Sequence, residues 1–178
     1  MRIDDEEIWG SLAAYMVQKC EYFTARDLSN QVYALTKVSK LKPIILNFDD
    51  LFRRYELHLV KKMDLERVDG QTISNAILAY SKSQNGSKQF FRALESTILK
   101  NAHKMSPQEL SNTIYSYHKS ENASVDPLLL DLRNIVMENI NQYKPVELCQ
   151  VLISYTENGM MDEEMIEVFQ QQFKGRYE

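Results

Sequence analysis

Apolar residues recur along this chain in two interleaved patterns. The first occupies positions 1, 5 and 8 of four segments that align without gaps: LSNQVYALTK from Leu28, ISNAILAYSK from Ile73, LSNTIYSYHK from Leu110 and LCQVLISYTE from Leu148. Its stripe reads Leu28, Val32, Leu35, then Ile73, Ile77, Tyr80, then Leu110, Ile114, Tyr117, and finally Leu148, Leu152, Tyr155. A spacing of i, i+4, i+7 is one face of an α-helix, and this helix is termed A. The four starts lie 45, 37 and 38 residues apart.

The second pattern places apolar residues at relative positions 0, 1, 4, 8 and 9, and it occurs five times. Its first copy is Ile8, Trp9, Leu12, Met16, Val17, followed by copies that start at Leu51, Phe90, Leu128 and Met165. In the last copy Met165, Ile166, Phe169 and Phe173 fit, and Lys174 breaks the final position. Starts 43, 39, 38 and 37 residues apart repeat the period of helix A, so two independent patterns report one repeat. This second helix is termed B.

Start and stop signals fit the same frame. Thr24, Ser106 and Asp126 stand where N-caps are expected, with Pro107, Pro127 and Pro145 near the first helical position and Glu109 completing a capping box with Ser106. Asn85-Gly86 and Asn158-Gly159 are expected to supply left-handed residues that end two A helices. The predicted architecture is all-α: about nine helices on a period of 37–38 residues, with no strand, in one domain over residues 1–178. It comprises a lone B helix over 4–20 and A–B hairpins over 24–64, 68–104, 106–142 and 144–176, with Pro43 to Leu46 as extended helix or ordered loop. No such hairpin can bury its apolar face alone, so neighbours must stack into a short right-handed α-solenoid. Ala34, Ala79, Ser116 and Ser154, at the seventh position of every A helix, are small enough to let helices approach closely.

The A-helix phrase LSNxxYxxxK, the pairs Ala79-Tyr80, Ser116-Tyr117 and Ser154-Tyr155, and the period together carry a resemblance. Over roughly residues 5–174 the chain resembles the octotricopeptide and heptatricopeptide repeats and the related repeats of FAST-kinase-like proteins, which share the style of pentatricopeptide repeats. The resemblance implies a helical-repeat fold, and RNA binding within mitochondria or chloroplasts. The RAP-like nuclease domain that accompanies several of those proteins has no counterpart in these residues, so the expectation is a non-catalytic chain.

A binding face can be sought opposite the apolar stripe of helix A, where the third and tenth positions project within about 20° of one another. They are Asn30 and Lys37, Asn75 and Lys82, Asn112 and Lys119, then Gln150 and Glu157. Stacking would align three Asn-Lys pairs into a polar ladder, the arrangement by which tandem helical repeats read single-stranded RNA. The simpler reading is a solvated face. Charge bears on the choice. Residues 37–119 hold 14 basic and 8 acidic side chains, whereas 120–178 hold 4 and 11, and 1–36 hold 3 and 6. Phosphate contacts would therefore fall on the middle repeats, while a net charge of −4 and an acidic carboxyl-terminal repeat suit docking between proteins. The end helices sharpen that second role, because Trp9 at one end and Phe169 and Phe173 at the other are apolar anchors for a partner unless they turn inward.

Catalytic and metal chemistry finds little footing. His58, His103 and His118 are isolated from one another, no phosphate-cradle, nucleophile-elbow or zinc motif is present, and the acidic runs Asp4 to Glu7 and Asp162 to Glu164 sit at helix starts, where the macrodipole favours them. Cys20 and Cys149 have no CxxC partner and are expected as two buried free thiols. Of the ten tyrosines, Tyr80, Tyr117 and Tyr155 lie on the stripe and are expected inside, whereas Tyr33 and Tyr115 lie on the flank and are better placed for contact. No apolar run has spanning length and MRIDDEEIWG has no signal-like core. The resulting expectation is a non-enzymatic adaptor or structural subunit of an intracellular protein assembly, with no cofactor, no small-molecule substrate and no membrane insertion. Organellar RNA binding along the ladder is the alternative, and the mitochondrial matrix is suggested by the resemblance alone.

Overall fold

A computed structural model describes residues 6–39 and 48–177. Among the described residues there are nine α-helices and no strand: α1 (Glu6–Lys19), α2 (Ala25–Ser39), α3 (Phe48–Leu65), α4 (Gly70–Ser83), α5 (Lys88–Asn101), α6 (Pro107–Lys119), α7 (Val125–Glu138), α8 (Pro145–Glu157) and α9 (Glu163–Tyr177). The A segments form α2, α4, α6 and α8, and the B segments form α1, α3, α5, α7 and α9. Pro43 to Leu46 lies outside the described residues.

Local chemistry sets the helix starts. Ser106 Oγ accepts from the Glu109 amide at 3.3 Å while Glu109 accepts from the Ser106 amide at 2.7 Å, a reciprocal cap in front of Pro107. Thr24 and Asp27 make the same exchange at 3.2 and 3.1 Å before α2. Asp69 caps α4 through the Thr72 amide, and Ser87 caps α5 through the Phe90 amide. Two expectations need correction. Helix α7 begins at Val125 after Ser124, so Asp126 falls in the first turn, and Pro127 is still within the stretch whose amides have no intrahelical acceptor. The left-handed residue after α4 is Gln84, with φ of 56°, rather than Asn85 or Gly86. Gly86 is needed for another reason: a Cβ there would stand 2.5 Å from a ring carbon of Phe91. Gly159, with φ of 67°, fills the turn after α8 as expected.

The hairpins stack as two layers. Each A helix packs along its length on the next A helix, from α2 through α8, while successive B helices touch more sparsely. The eighth-position tyrosine joins the layers. Tyr80 donates its hydroxyl to the Phe52 carbonyl at 2.8 Å, Tyr117 to the Phe91 carbonyl at 2.7 Å, and Tyr155 to the Leu129 carbonyl at 2.7 Å. In every case an A helix reaches the equivalent residue of the preceding B helix, and burial pushes each phenol far above its usual range. An aromatic chain accompanies these bonds, with Phe52 edge-on to Tyr80 at 5.2 Å and Phe91 edge-on to Tyr117 at 5.2 Å.

Polar links between successive B helices sit at one recurring place. Glu56 of α3 accepts from the hydroxyl and amide of Ser87, the residue that caps α5. Arg133 of α7 occupies the same relative position and donates to Asp162 at 2.7 Å and Glu164 at 2.5 Å, across the start of α9. The hydrogen bond from Arg133, followed by the Met165 amide, holds the Asp162 carboxyl below its ordinary range.

Replacing Tyr117 by Phe is expected to lower unfolding free energy by about 1 kcal/mol, because the Phe91 carbonyl keeps its intrahelical donor. Tyr117→Ala is expected to lower it by about 3–5 kcal/mol through the cavity left behind. Urea denaturation of the two variants checks both values.

Candidate docking surfaces

The burial of equivalent positions differs between repeats, and the differences map the faces of helix A. The fourth and seventh positions are buried in α4, α6 and α8 as Ala76 and Ala79, Thr113 and Ser116, and Val151 and Ser154. These residues face the preceding A helix. In α2, which has no A helix before it, Gln31 is half-buried and Ala34 is exposed. The second position behaves in the opposite sense: Ser29, Ser74 and Ser111 are buried, and Cys149 of α8 is exposed. Leu152 is half-buried, and Ile153 and Thr156 are exposed, on that same outward flank of α8. The A layer is therefore open at both ends.

At the amino-terminal end this opening is a groove of about 340 Å³, lined by Leu12, Tyr15, Met16, Phe23, Gln31, Ala34 and Leu35. Helix α1 forms one wall and α2 the floor. The walls are almost wholly apolar, and Leu12 and Tyr15 stand exposed above them. Each later junction of the A layer fills the corresponding place with a helix. The groove residues other than Leu12 and Met16 have no place in the B stripe, and Ala34 read as a contact residue because its equivalents are. The signal that identifies the groove is the comparison between repeats, since Gln31 and Ala34 are less buried than their equivalents in the later A helices.

The predicted anchors divide. Phe169 is 2% exposed and belongs to the core with Met165, so it is no anchor, because α9 turns its stripe inward against the last hairpin. Phe173 is half-buried and packs on the same core, and Ile166 is the exposed apolar residue of that helix. Trp9 lies in α1, and its side chain falls outside the described residues. The thiols divide as well: Cys20 is buried, and Cys149 is exposed rather than buried because no A helix follows α8.

The Asn-Lys ladder is brought together, and much of it is occupied by itself. Asn75 donates to Asn30 Oδ1 at 3.4 Å, and Gln150 donates to Asn112 Oδ1 at 3.4 Å, so third-position amides pair across neighbouring repeats. Lys119 Nζ lies 3.4 Å from Glu157 Oε2, and His118 Nε2 lies 2.7 Å from the same oxygen. The hydrogen bond from Lys119, then its charge, holds the Glu157 carboxyl below the usual range. Asn158 Nδ2 lies 3.0 Å from His118 Nδ1, on the other side of the ring from Glu157. Lys37 sits 4.5 Å over the Tyr33 ring and Lys119 5.5 Å over Tyr115, so the two flank tyrosines are ladder neighbours. Lys82 projects from α4 into solvent.

Among the described residues no group of three His, Cys, Asp or Glu side chains is placed to hold a metal ion, and no helix is long and apolar enough to cross a membrane. In sequence comparisons the chain matches no known family model, and no curated protein is significantly similar to it.

The open groove predicts unequal tolerance at equivalent positions. Ala34→Leu is expected to change stability by no more than about 0.5 kcal/mol, whereas Ala79→Leu, at a closed junction, is expected to lower it by about 1–3 kcal/mol. Chemical denaturation of both variants distinguishes an open face from a closed one.

Proposed function

We propose that this chain is a non-catalytic helical-repeat adaptor, a subunit of a larger protein assembly that takes hold of a partner at the open end of its A layer. The observation that carries the reading is the groove between α1 and α2, where Ala34 is exposed at a position that three later repeats bury beneath a neighbouring helix. A surface shaped to receive a helix and lined by Leu12, Tyr15 and Phe23 suits the apolar face of an amphipathic partner helix. The self-paired ladder supports the same reading, since amides already bonded to their neighbours have less capacity to read a base. The mitochondrial setting follows from the repeat resemblance alone.

A photo-crosslinking residue placed at Ala34 or Tyr15, in the cells that make the protein, tests it. Crosslinks to protein are expected from both sites and not from Gln71, exposed on α4. Ala34→Arg is expected to lose the co-purifying partner while the chain keeps its melting temperature. Equal crosslinking from Gln71, or a partner retained by Ala34→Arg, would argue against the groove.

One observation favours RNA as a second reading. Lys37 with Tyr33 and Lys119 with Tyr115 are surface pairs of base and ring on one face, a combination that serves both phosphate and base stacking. In this case the chain binds a mixed single-stranded RNA pool in fluorescence anisotropy, with affinity that falls steeply as salt rises. Lys37→Glu, Lys82→Glu and Lys119→Glu together abolish that binding. Affinity indifferent to the triple replacement removes the ladder from consideration.

A further inference from the structure

The outer surface of the B layer, on the side away from the A helices, is sorted by charge. Among the described side chains, helices α3 and α5 expose Arg53, Arg54, Lys61, Lys88, Arg92 and Lys100 against two exposed acids, Asp50 and Asp64. Among the described side chains, helices α7 and α9 expose Asp126, Asp131, Glu138, Glu163, Glu164 and Glu167 against one exposed base, Lys174. Among the described residues these groups are largely unspent. Arg133 binds Asp162 and Glu164, but Arg53, Arg54, Lys61, Lys88 and Lys100 form no ion pair with a described residue. Like charges crowded on adjacent helices repel, so each half of the layer is a field that an opposite field would relieve.

Each half also carries apolar side chains in the midst of its charges. Leu57 is 75% exposed on α3, one turn from both Arg53 and Lys61, and Leu130 is 65% exposed on α7 beside Asp131. Apolar centres with charged rims are how protein interfaces are built. A phosphate track is served poorly by exposed leucines and acids, and among the described side chains none of the aromatic rings that stack bases is exposed on α3 or α5.

We infer that the occupant of this surface is a second copy of the chain, packed back to back and antiparallel across the B layer. A twofold axis between α5 and α7 lays α3 of each copy over α9 of the other, and α5 over α7. Both basic halves then meet both acidic halves in one closed, isologous contact, the commonest symmetry among homo-oligomers. Leu57 of each copy then lies against α9 of the other, and Leu130 against α5. The area suits the task as well. Four helices about 21 Å long, spaced roughly 9 Å apart, present on the order of 750 Å² per copy, close to the roughly 800 Å² per partner of a stable interface. The surface runs over α3, α5, α7 and α9, whereas the groove opens beside α2 at the end of the A layer, so a dimer leaves that groove free.

Light scattering behind size exclusion, run across a dilution series at about 0.01 M and about 1 M salt, tests the inference, the screening length falling from roughly 30 Å to roughly 3 Å between them. The expected result is a mass that rises to twice 20.8 kDa at low salt, stays there, and returns to the monomer at high salt. Arg53→Glu with Arg54→Glu is expected to leave a monomer, as is Glu163→Lys with Glu167→Lys, and all four replacements in one chain are expected to restore the dimer. Circular dichroism establishes that each variant is folded. Where a charge variant loses its helicity, Leu57→Ser, at a fully solvated site in the monomer, is expected to weaken the dimer in its place. A wild-type chain monomeric at low salt, with or without uptake of a single-stranded RNA probe, overturns the inference. So does a folded four-residue swap that remains monomeric, or a mass that climbs past the dimer.

Discussion

Everything in this molecule depends on how one hairpin is joined to the next, and the buried tyrosine hydroxyl is the joint. A hairpin of two amphipathic helices has an apolar face on each side and no core of its own. Hydrophobic contact would let such units slide along or rotate against each other, since it is non-directional. The hydroxyl adds direction. Tyr80, Tyr117 and Tyr155 each reach a carbonyl at the same place on the preceding B helix, and a phenol removed from water must find such a partner or leave a polar group stranded. Register between hairpins is thereby fixed by a group that tolerates only one answer. The first A helix has Leu35 in this place, and it is the hairpin whose preceding neighbour is a single helix.

Small residues serve the same joint from the other side. Ser29 and Ser154, buried at helix contacts, return their hydroxyls to carbonyls four residues back at 2.8 Å, which makes serine nearly the equal of alanine there. Closeness in the A layer follows from such side chains, and it brings the third-position amides within reach of one another. The ladder that the sequence presents as a row of free polar groups is thus a consequence of tight stacking, and the stacking itself uses part of it.

The helices and their order were legible because two apolar patterns with one period leave little freedom in assigning elements. Stripes identify what is buried within a repeat. They do not tell which flank of a helix meets a neighbour, and so Ala34 and Ala79 read alike although one is exposed and the other buried. The same gap hid the inward turn of Phe169 and the exposure of Cys149, since each depends on whether a further helix is present beside it. Cap positions were readable where a reciprocal Ser or Thr and acid pair exists, as at Ser106 and Glu109, and unreadable at α7, where Ser124 precedes the helix without a side-chain bond. The groove between α1 and α2 was legible only in outline, from the order of the A and B helices, and the split between basic and acidic halves was legible in full. Its placement on the B layer was not, because the balance of charge along a chain does not say which side of a helix each residue faces.

The tyrosine joints have a mechanical side. Each of these bonds spans a single junction, so a pull applied along the stack loads the joints in series. Such a chain would yield by peeling hairpins one after another from an end, with extension released in steps of one repeat and each step reversible while the neighbour stands. A molecule built this way can lengthen under load without losing its middle, as a zipper opens at its slider and holds elsewhere.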